Sequence, residues 1–436
     1  MTSSAASNER DDSAAQETTP LLAASAAEPT AQANEEALVH KTVPKDDDDK
    51  PLPKAQIFLL CYARLLEPIA FFSIFPFVNQ MIWETGHLTA GDVGFYSGLI
   101  ESLFSLTQML VMISWGRAAD RFGRKPVLVS SLTGMAMATS IFGLSKAIWQ
   151  MILFRCLAGV FAGTIVTVRS MITENSTPRT QARAFSFFAF AGNVGIFIGP
   201  LIGGGLSKPA EQYPSVFGRI KLFKDFPYAL PTFTTGAIGA SAAIISALFI
   251  KETLNRKVHG RLSGDGPRST WEIVKSPGVV AVLFLYGGVM LLALAYTAVL
   301  PVLCFTPVEL GGFGFSPLWI SILIATGGAS QAIWLLLVFP PLQHRFGTGG
   351  VLRGCAIAWP FMFAIWPLCN ELLRHDHTVA FWIVGPINLV LGSGVAMAFS
   401  KLSFFLPALS VAYVFCSCRT ARAQRYCALA IYPRNA

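Results

Sequence analysis

The stretch Gly116-Arg-Ala-Ala-Asp120-Arg121-Phe-Gly123-Arg124-Lys125 decides the fold. It is a short charged segment between two long apolar runs, 94–115 and 126–145. A bilayer core of about 30 Å is crossed by roughly 20 apolar residues in a helix. Each run is therefore long enough to span, and the charged segment is the turn between two spans. Gly116 and Gly123 let the chain reverse within it. Arg121, Arg124 and Lys125 hold it at the membrane surface. Asp120 is a lone acid that a helix N-terminus or an arginine could hold.

Outward from this turn the pattern recurs. The candidate spans are 56–82, 94–115, 126–145, 147–172, 182–206, 228–250, 276–304, 316–340, 350–369 and 378–400, followed by a weaker apolar stretch from Leu402 to Phe415. Backbone polar groups in lipid must be satisfied within their own segment, so these spans are helices and the chain is an all-α membrane protein. Composition agrees. Of 436 residues 53% are hydrophobic and 13% charged, with a mean hydropathy of +0.53, against roughly 25% charged in soluble domains. A water-soluble enzyme, a fibrous protein and a wholly disordered chain are excluded. The net charge of +8 is no nucleic-acid signal, because the charges lie in loops between apolar spans.

The ends differ from the body. Residues 1–54 hold 11 acidic and 5 basic residues and no apolar run, which reads as a disordered tail and leaves the remainder at +14. Within the tail, Glu17-Thr18-Thr19-Pro20-Leu21-Leu22 has the form of an acidic dileucine address read in vacuolar or endosomal sorting. With the N-terminus in the cytosol, the loops on that side carry 14 basic residues and the opposite loops 6, so the N-terminus is expected inside.

Two features divide the body. The polar segment 251–275 separates an N-terminal six-helix half (55–250) from a second half (276–416). In addition, Arg121-Phe122-Gly123 and Val127-Leu128 recur as Arg345-Phe346-Gly347 and Val351-Leu352 at a constant offset of 224. Internal repetition of a multi-span half marks secondary transporters, whose substrate site lies between the halves.

Candidate functional residues follow from what is costly in a membrane. A buried ionisable group costs about 3 kcal/mol or more unless it is paired or hydrated. Arg64, Glu67, Glu101 and Arg155 all lie at membrane depth. Arg64 and Glu67 share a helical face and can neutralise each other, as a structural pair or as part of a proton path. Glu101 has no partner on its own helix and is the better candidate for a carboxyl that binds and releases a proton. Asn79, Gln108, Asn193, Gln331 and Asn388 are candidates to line the cavity or to bind helices together. Phe71, Phe72, Tyr286 and Tyr296 could form an aromatic wall, with ordinary packing as the simpler reading. In span five, Gly195-Ile-Phe-Ile-Gly199-Pro200-Leu-Ile-Gly203-Gly204 gives a small-residue face and an internal proline. The eight cysteines read as packing residues, and His375-Asp376-His377 offers too few ligands for an ion. Neither a metal nor a cofactor is expected.

The Gly116–Lys125 turn resembles the loop motif of the major facilitator superfamily. The Gly195–Gly204 pattern is similar to that family's antiporter motif, and Arg155 resembles its span-four arginine, implicated in proton transfer. Together with Leu65-Leu-Glu67-Pro-Ile-Ala-Phe-Phe-Ser-Ile-Phe-Pro76, they look like the twelve-span drug:proton antiporter branch, near fungal multidrug-type and plant zinc-induced facilitator-like transporters. The resemblance implies a major facilitator fold and a proton-coupled exporter or vacuolar importer of a small organic molecule. It implies small-molecule and proton partners, a monomer, and a place in the vacuolar or plasma membrane. In this reading Glu101 carries the proton, Arg155 tunes it, and Asp120 with Arg121 latches the cytosolic side.

The resemblance covers about residues 52–400 and stops near Ser400. The 39 residues from Thr378 to Cys416 carry one charge, Lys401, and cannot hold two spans of roughly 20 residues with a loop between them. The basic tail 417–436, with Arg419, Arg422, Arg425 and Arg434, matches nothing in the family. The expectation is therefore about ten spans of twelve, an incomplete second bundle, a cytosolic C-terminus and a truncated or aberrant end. A transport-inactive membrane protein or sensor is the alternative function.

Overall fold

The computed structural model describes residues 52–86, 88–254 and 279–395. The acidic tail with its dileucine pattern, most of the polar linker and the C-terminal region lie outside the described residues. Within them the regular structure is helical throughout. Eight helices are long and apolar enough to cross a membrane: Lys54–Gly86, Asp92–Phe122, Ile148–Asn175, Arg183–Leu206, Ala229–Phe249, Gly287–Phe305, Arg353–Arg374 and Thr378–Val395. They occupy positions one, two, four to seven, nine and ten of the expected series. Position three is Arg124–Phe142, a helix of 19 residues that opens on Arg-Lys-Pro. Position eight is Pro317–Ile333, 17 residues long and continued by the π-helical turn Trp334–Val338.

The sequence repeat is also a repeat of backbone shape. Gly123 ends the second span at φ 113°, ψ 154°, and Gly347 interrupts a helix at φ 67°, ψ 166°. That region is essentially closed to residues with a Cβ. The glycine of each Arg-Phe-Gly is thus the residue that stops one span so that the next can start.

Lipid gives helices no hydrophobic reason to associate, so close approach and side-chain hydrogen bonds hold the bundle. Spans three and six, one and five, and two and four pack along one another. A core of Leu60, Leu66, Leu128, Leu132, Met135, Met171 and Ile172 fills one part of the N-terminal half. A second core, around Phe77, Ile82, Ile100, Phe142 and Tyr228, fills the part away from the Gly116–Lys125 turn. The later helices have a core of their own around Leu300, Ile320, Trp366, Cys369 and Phe381, which also takes in Phe75 of span one.

Two spans are broken, and each break has an identifiable support. Span four stops at Ala162-Gly163, and the carbonyls released there are claimed by neighbouring helices. Trp115 donates to Val160 O at 2.6 Å, Ser131 to Phe161 O at 2.7 Å and Gln108 to Ala162 O at 3.1 Å. Span one breaks at Ser73-Ile74, where a Cβ on Gly203 of span five would collide with the Ser73 carbonyl. Irregular backbone at membrane depth survives because protein, not lipid, surrounds it.

Candidate functional site

The most deeply buried meeting of ionisable groups among the described residues is Arg155 with Glu101. One guanidinium nitrogen, Nη2, donates to both carboxylate oxygens, at 3.0 Å to Oε1 and 2.8 Å to Oε2. The two side chains are 2% and 7% exposed, so the pair is sealed from both lipid and water. Its position follows from helix packing one turn away. Gly159 follows Arg155 by four residues, and a Cβ there would lie 2.6 Å from the Phe104 carbonyl and collide with Thr107. Spans two and four can touch only because that Cβ is absent, and the contact brings residue 101 to residue 155. The guanidinium carbon then lies 4.4 Å from the Phe104 ring centre and 5.2 Å from that of Phe71, between two aromatic faces.

A second group lies nearer the Gly116–Lys125 end. Arg64 Nη1 approaches Glu67 Oε2 at 3.5 Å, a loose ion pair. The other oxygen, Oε1, accepts from Gln108 Nε2 at 2.8 Å. Arg64 Nε and Nη1 make no hydrogen bond, although both are buried. Its guanidinium carbon sits 5.1 Å from the ring centre of Phe188, on span five, and Arg169 of span four lies 5.6 Å from the same centre.

The charged turn between spans two and three forms a third group. Arg124, 7% exposed, pairs with Asp120 through Nη1 at 2.5 Å and with Glu174 through Nη2 at 3.0 Å. Thr253 Oγ1 donates to the other oxygen of Glu174 at 2.5 Å. Glu252, just past span six, accepts the backbone N–H groups of Arg124 at 2.8 Å and Lys125 at 3.0 Å, and those of Thr253 and Leu254, each at 3.0 Å. Partial burial pushes its carboxyl up, but these four backbone donors outweigh it and hold it below the usual carboxylate range. Spans two, three, four and six are tied together at this end. The sequence pattern leaves open which arginine holds Asp120 and sets Arg121 beside it in the latch. Arg121 instead lies exposed over the ring of Phe122, because residue 124 is one helical turn beyond residue 120 and residue 121 is not.

The Gly195–Gly204 face is a packing surface with two sides. A Cβ on Gly195 would lie 2.5 Å from Pro68, and one on Gly199 would lie 3.1 Å from the Ile69 carbonyl. Gly203 meets Ser73, and Gly204 turns to span eight, where a Cβ would lie 2.6 Å from the Pro317 carbonyl. Pro200, inside this helix, is buried between them. The motif therefore sits where span five meets both span one and the later helices.

Of the amide candidates, Gln108 is the one placed with the charged groups. Asn79 is fully buried and neither of its amide atoms has a partner, while Asn388 donates to Met362 O at 3.2 Å. Asn193 and Gln331 are half-buried. Tyr296 packs edge-on against Trp359 and Phe363. Glu174, Glu252, Arg169 and Phe188 were not singled out from the sequence. The available signal was that Glu174 and Glu252 are acids at the ends of spans four and six, in loops that are otherwise basic.

The sequence matches the family model for the Major Facilitator Superfamily over residues 60–413. It is 50% identical over 359 residues to the efflux pump azaK of Aspergillus niger, covering 82% of this chain and 74% of that one. It is 36% identical over 221 residues to the multidrug transporter mfsB of Aspergillus fumigatus, covering 50% and 36%. With ZINC INDUCED FACILITATOR 1 of Arabidopsis thaliana it shares 28% identity over 334 residues, 70% of this chain and 68% of that one. Among solved structures, a D-xylose–proton symporter superposes with a TM-score of 0.55 at 15% identity, covering 80% of each chain. That likeness is one of fold.

Proposed function

The chain belongs to the major facilitator superfamily and is a multi-pass membrane transporter of small molecules, not an enzyme, and from that premise we propose that it is a proton-coupled exporter working by alternating access. Glu101 is the proton carrier, and Arg155 holds its carboxylate when the proton is absent. The observation that carries this reading is the sealed Glu101–Arg155 pair, one guanidinium nitrogen shared between two carboxylate oxygens under two aromatic rings. A buried pair costs desolvation on both sides and adds little stability over apolar residues of similar size. Its presence at membrane depth is the mark of a group that changes charge in a working cycle.

Phe71 supports a link between this pair and the rest of the cycle. It covers Arg155, stands edge-on to Phe75 at 5.1 Å, and packs against the cores of both halves. A rearrangement of the later helices would move the aromatic cover over the pair. The Asp120–Arg124–Glu174 cluster with Glu252 is the cytosolic latch, and the N-terminus lies in the cytosol with it. The chain acts as a monomer, and the dileucine pattern directs it to the vacuolar membrane, where export from the cytosol becomes sequestration. The azaK and mfsB relatives, an efflux pump and a multidrug transporter, support this direction.

The test is a pH gradient imposed on proteoliposomes that contain the full chain and an internal pH dye. Addition of a carried compound should move protons down the imposed gradient, in the direction opposite to the compound, and the movement should stop when a protonophore collapses the gradient. Transport that is indifferent to the gradient contradicts the proposal.

A further inference from the structure

We infer that Gln108 is a positioning residue that ties the charge on Glu67 to the break in span four. The inference rests on the reading above that a carboxyl at membrane depth changes charge during transport, and it adds a second such carboxyl. Three carbonyls released at the break, those of Val160, Phe161 and Ala162, accept from Trp115, Ser131 and Gln108 in turn. Trp115 has a single indole N–H, and the Ser131 hydroxyl also meets that of Thr164 at 2.9 Å. Gln108 differs from both. Its Nε2 carries two hydrogens, and the second donates to Glu67 Oε1 at 2.8 Å. One amide thus bridges a carboxylate on span one and a released carbonyl on span four. The bridge depends on the close approach that also seats Arg155. Gly159 admits Phe104 and Thr107 of span two, and the next residue, Gln108, is thereby brought to Ala162.

Glu67 is placed to respond to a proton. Its Oε2 is buried without a hydrogen-bond donor, and Arg64 Nη1 approaches it only to 3.5 Å. The charged groups around this place are Arg64 on the same span and Arg169 on span four, both beside the Phe188 ring. The Arg155–Glu101 pair lies further along, under Phe71, which follows Glu67 by one helical turn. Among the described residues, spans three, five and six and those of the second half carry no charged residue between their ends. A charged carboxylate is the stronger acceptor. It fixes the flexible Gln108 side chain so that the other hydrogen stays on Ala162 O. A proton taken from water onto Oε2 leaves Oε1 a weaker, neutral acceptor. Gln108 is then free to turn, and the break loses one of its three supports.

The consequence for transport follows from what the break divides. On one side is Ile148–Phe161, which bears Arg155; on the other is Thr164–Asn175, which bears Glu174 of the latch. Charge on Glu67 holds these two segments at a set angle. Its loss lets the latch segment swing against the segment that carries Arg155.

Hydrogen–deuterium exchange of the full chain in lipid nanodiscs reads the break through a peptide covering 160–167. Comparing variants at the same pH cancels the intrinsic exchange rates, and a span-six peptide, 236–246, controls for general loosening. At neutral pH, Glu67→Gln should speed exchange at the break by about fivefold, the size of one hydrogen bond, and leave span six unchanged. The ratio should fall to one in acid, where the unaltered chain is also neutral at residue 67. A merely structural role would leave that ratio constant. Gln108→Leu should be fast at every pH, and adding Glu67→Gln to it should change nothing. Trp115→Phe should also loosen the break, but there Glu67→Gln should add its full effect. Equal exchange in the unaltered chain and Glu67→Gln at neutral pH, a ratio independent of pH, or a Glu67→Gln effect that survives Gln108→Leu overturns the inference. The outcomes separate from those of the proton-coupling test. A break that answers to Glu67 in a carrier that moves no protons removes the coupling reading alone. Proton-coupled transport with a break indifferent to Glu67 removes this inference alone.

Discussion

Arg155 and Glu101 are 54 residues apart in sequence and share one buried hydrogen-bonding nitrogen, Nη2, held between the carboxylate oxygens at 2.8 and 3.0 Å. Among the described residues neither has another charged group against it, so each compensates the other. Removing one partner strands a charge in the bundle, which in buried pairs costs about 3–5 kcal/mol. Arg155→Met should therefore lower the thermal unfolding midpoint in detergent sharply. Adding Glu101→Gln to it should recover much of the loss, since a neutral pair needs no compensation. A double variant no more stable than Arg155→Met would show that the two are not coupled.

The two glycines of the repeated Arg-Phe-Gly should respond unequally to alanine. Both occupy a backbone region that costs a residue with a Cβ about 1–3 kcal/mol. A Cβ at Gly347 meets nothing within 4 Å, whereas one at Gly123 would lie 2.7 Å from Glu252 Oε2. Gly347→Ala should incur the backbone strain alone. Gly123→Ala should also expel Glu252 and unfold at the lower temperature of the two. Equal midpoints would mean that Glu252 does not support the turn.

Glu252 gives a prediction in pH. Its carboxyl is held below its usual value near 4.5 when folded. A depressed carboxylate contributes stability that is present above its unfolded value and is lost as pH falls through the folded one. The stability gap between the protein and its Glu252→Gln variant should be full at neutral pH and close only in acid below about pH 4.5. Because the group is largely exposed, the gap should be modest. A gap that is constant from pH 7 to pH 3 would contradict this account of the turn.

The dileucine address is tested by Leu21→Ala with Leu22→Ala in a tagged full chain. The variant should move from the vacuolar membrane to the cell surface. Identical membrane staining of both forms would make the pattern a chance match.

The spans, the repeat and the Gly116–Lys125 turn were legible because each is local. About 20 apolar residues, a charged decapeptide and a constant offset need no knowledge of the fold. The partners were not legible. Glu101 reaches Arg155 because Gly159 admits Phe104, and Glu252 reaches Arg124 across 128 residues; both contacts exist only after helices pack. Arg121 and Arg124 are equally basic in sequence, and only helical phase at the turn selects Arg124 for Asp120. The breaks at Ser73 and Ala162 left no clear sequence mark. What permits them is a set of side-chain donors and a missing Cβ on other helices.

The most direct test of the account is proton movement in Glu101→Gln. In proteoliposomes, the unaltered chain should accumulate a carried compound against its gradient when a pH gradient is imposed. Glu101→Gln should lose that accumulation and the accompanying proton flux. It should still exchange labelled for unlabelled compound across the membrane, because exchange needs alternating access but no proton. Uphill accumulation in the glutamine variant at the rate of the unaltered chain would show that the proton travels elsewhere, and the central claim would fall.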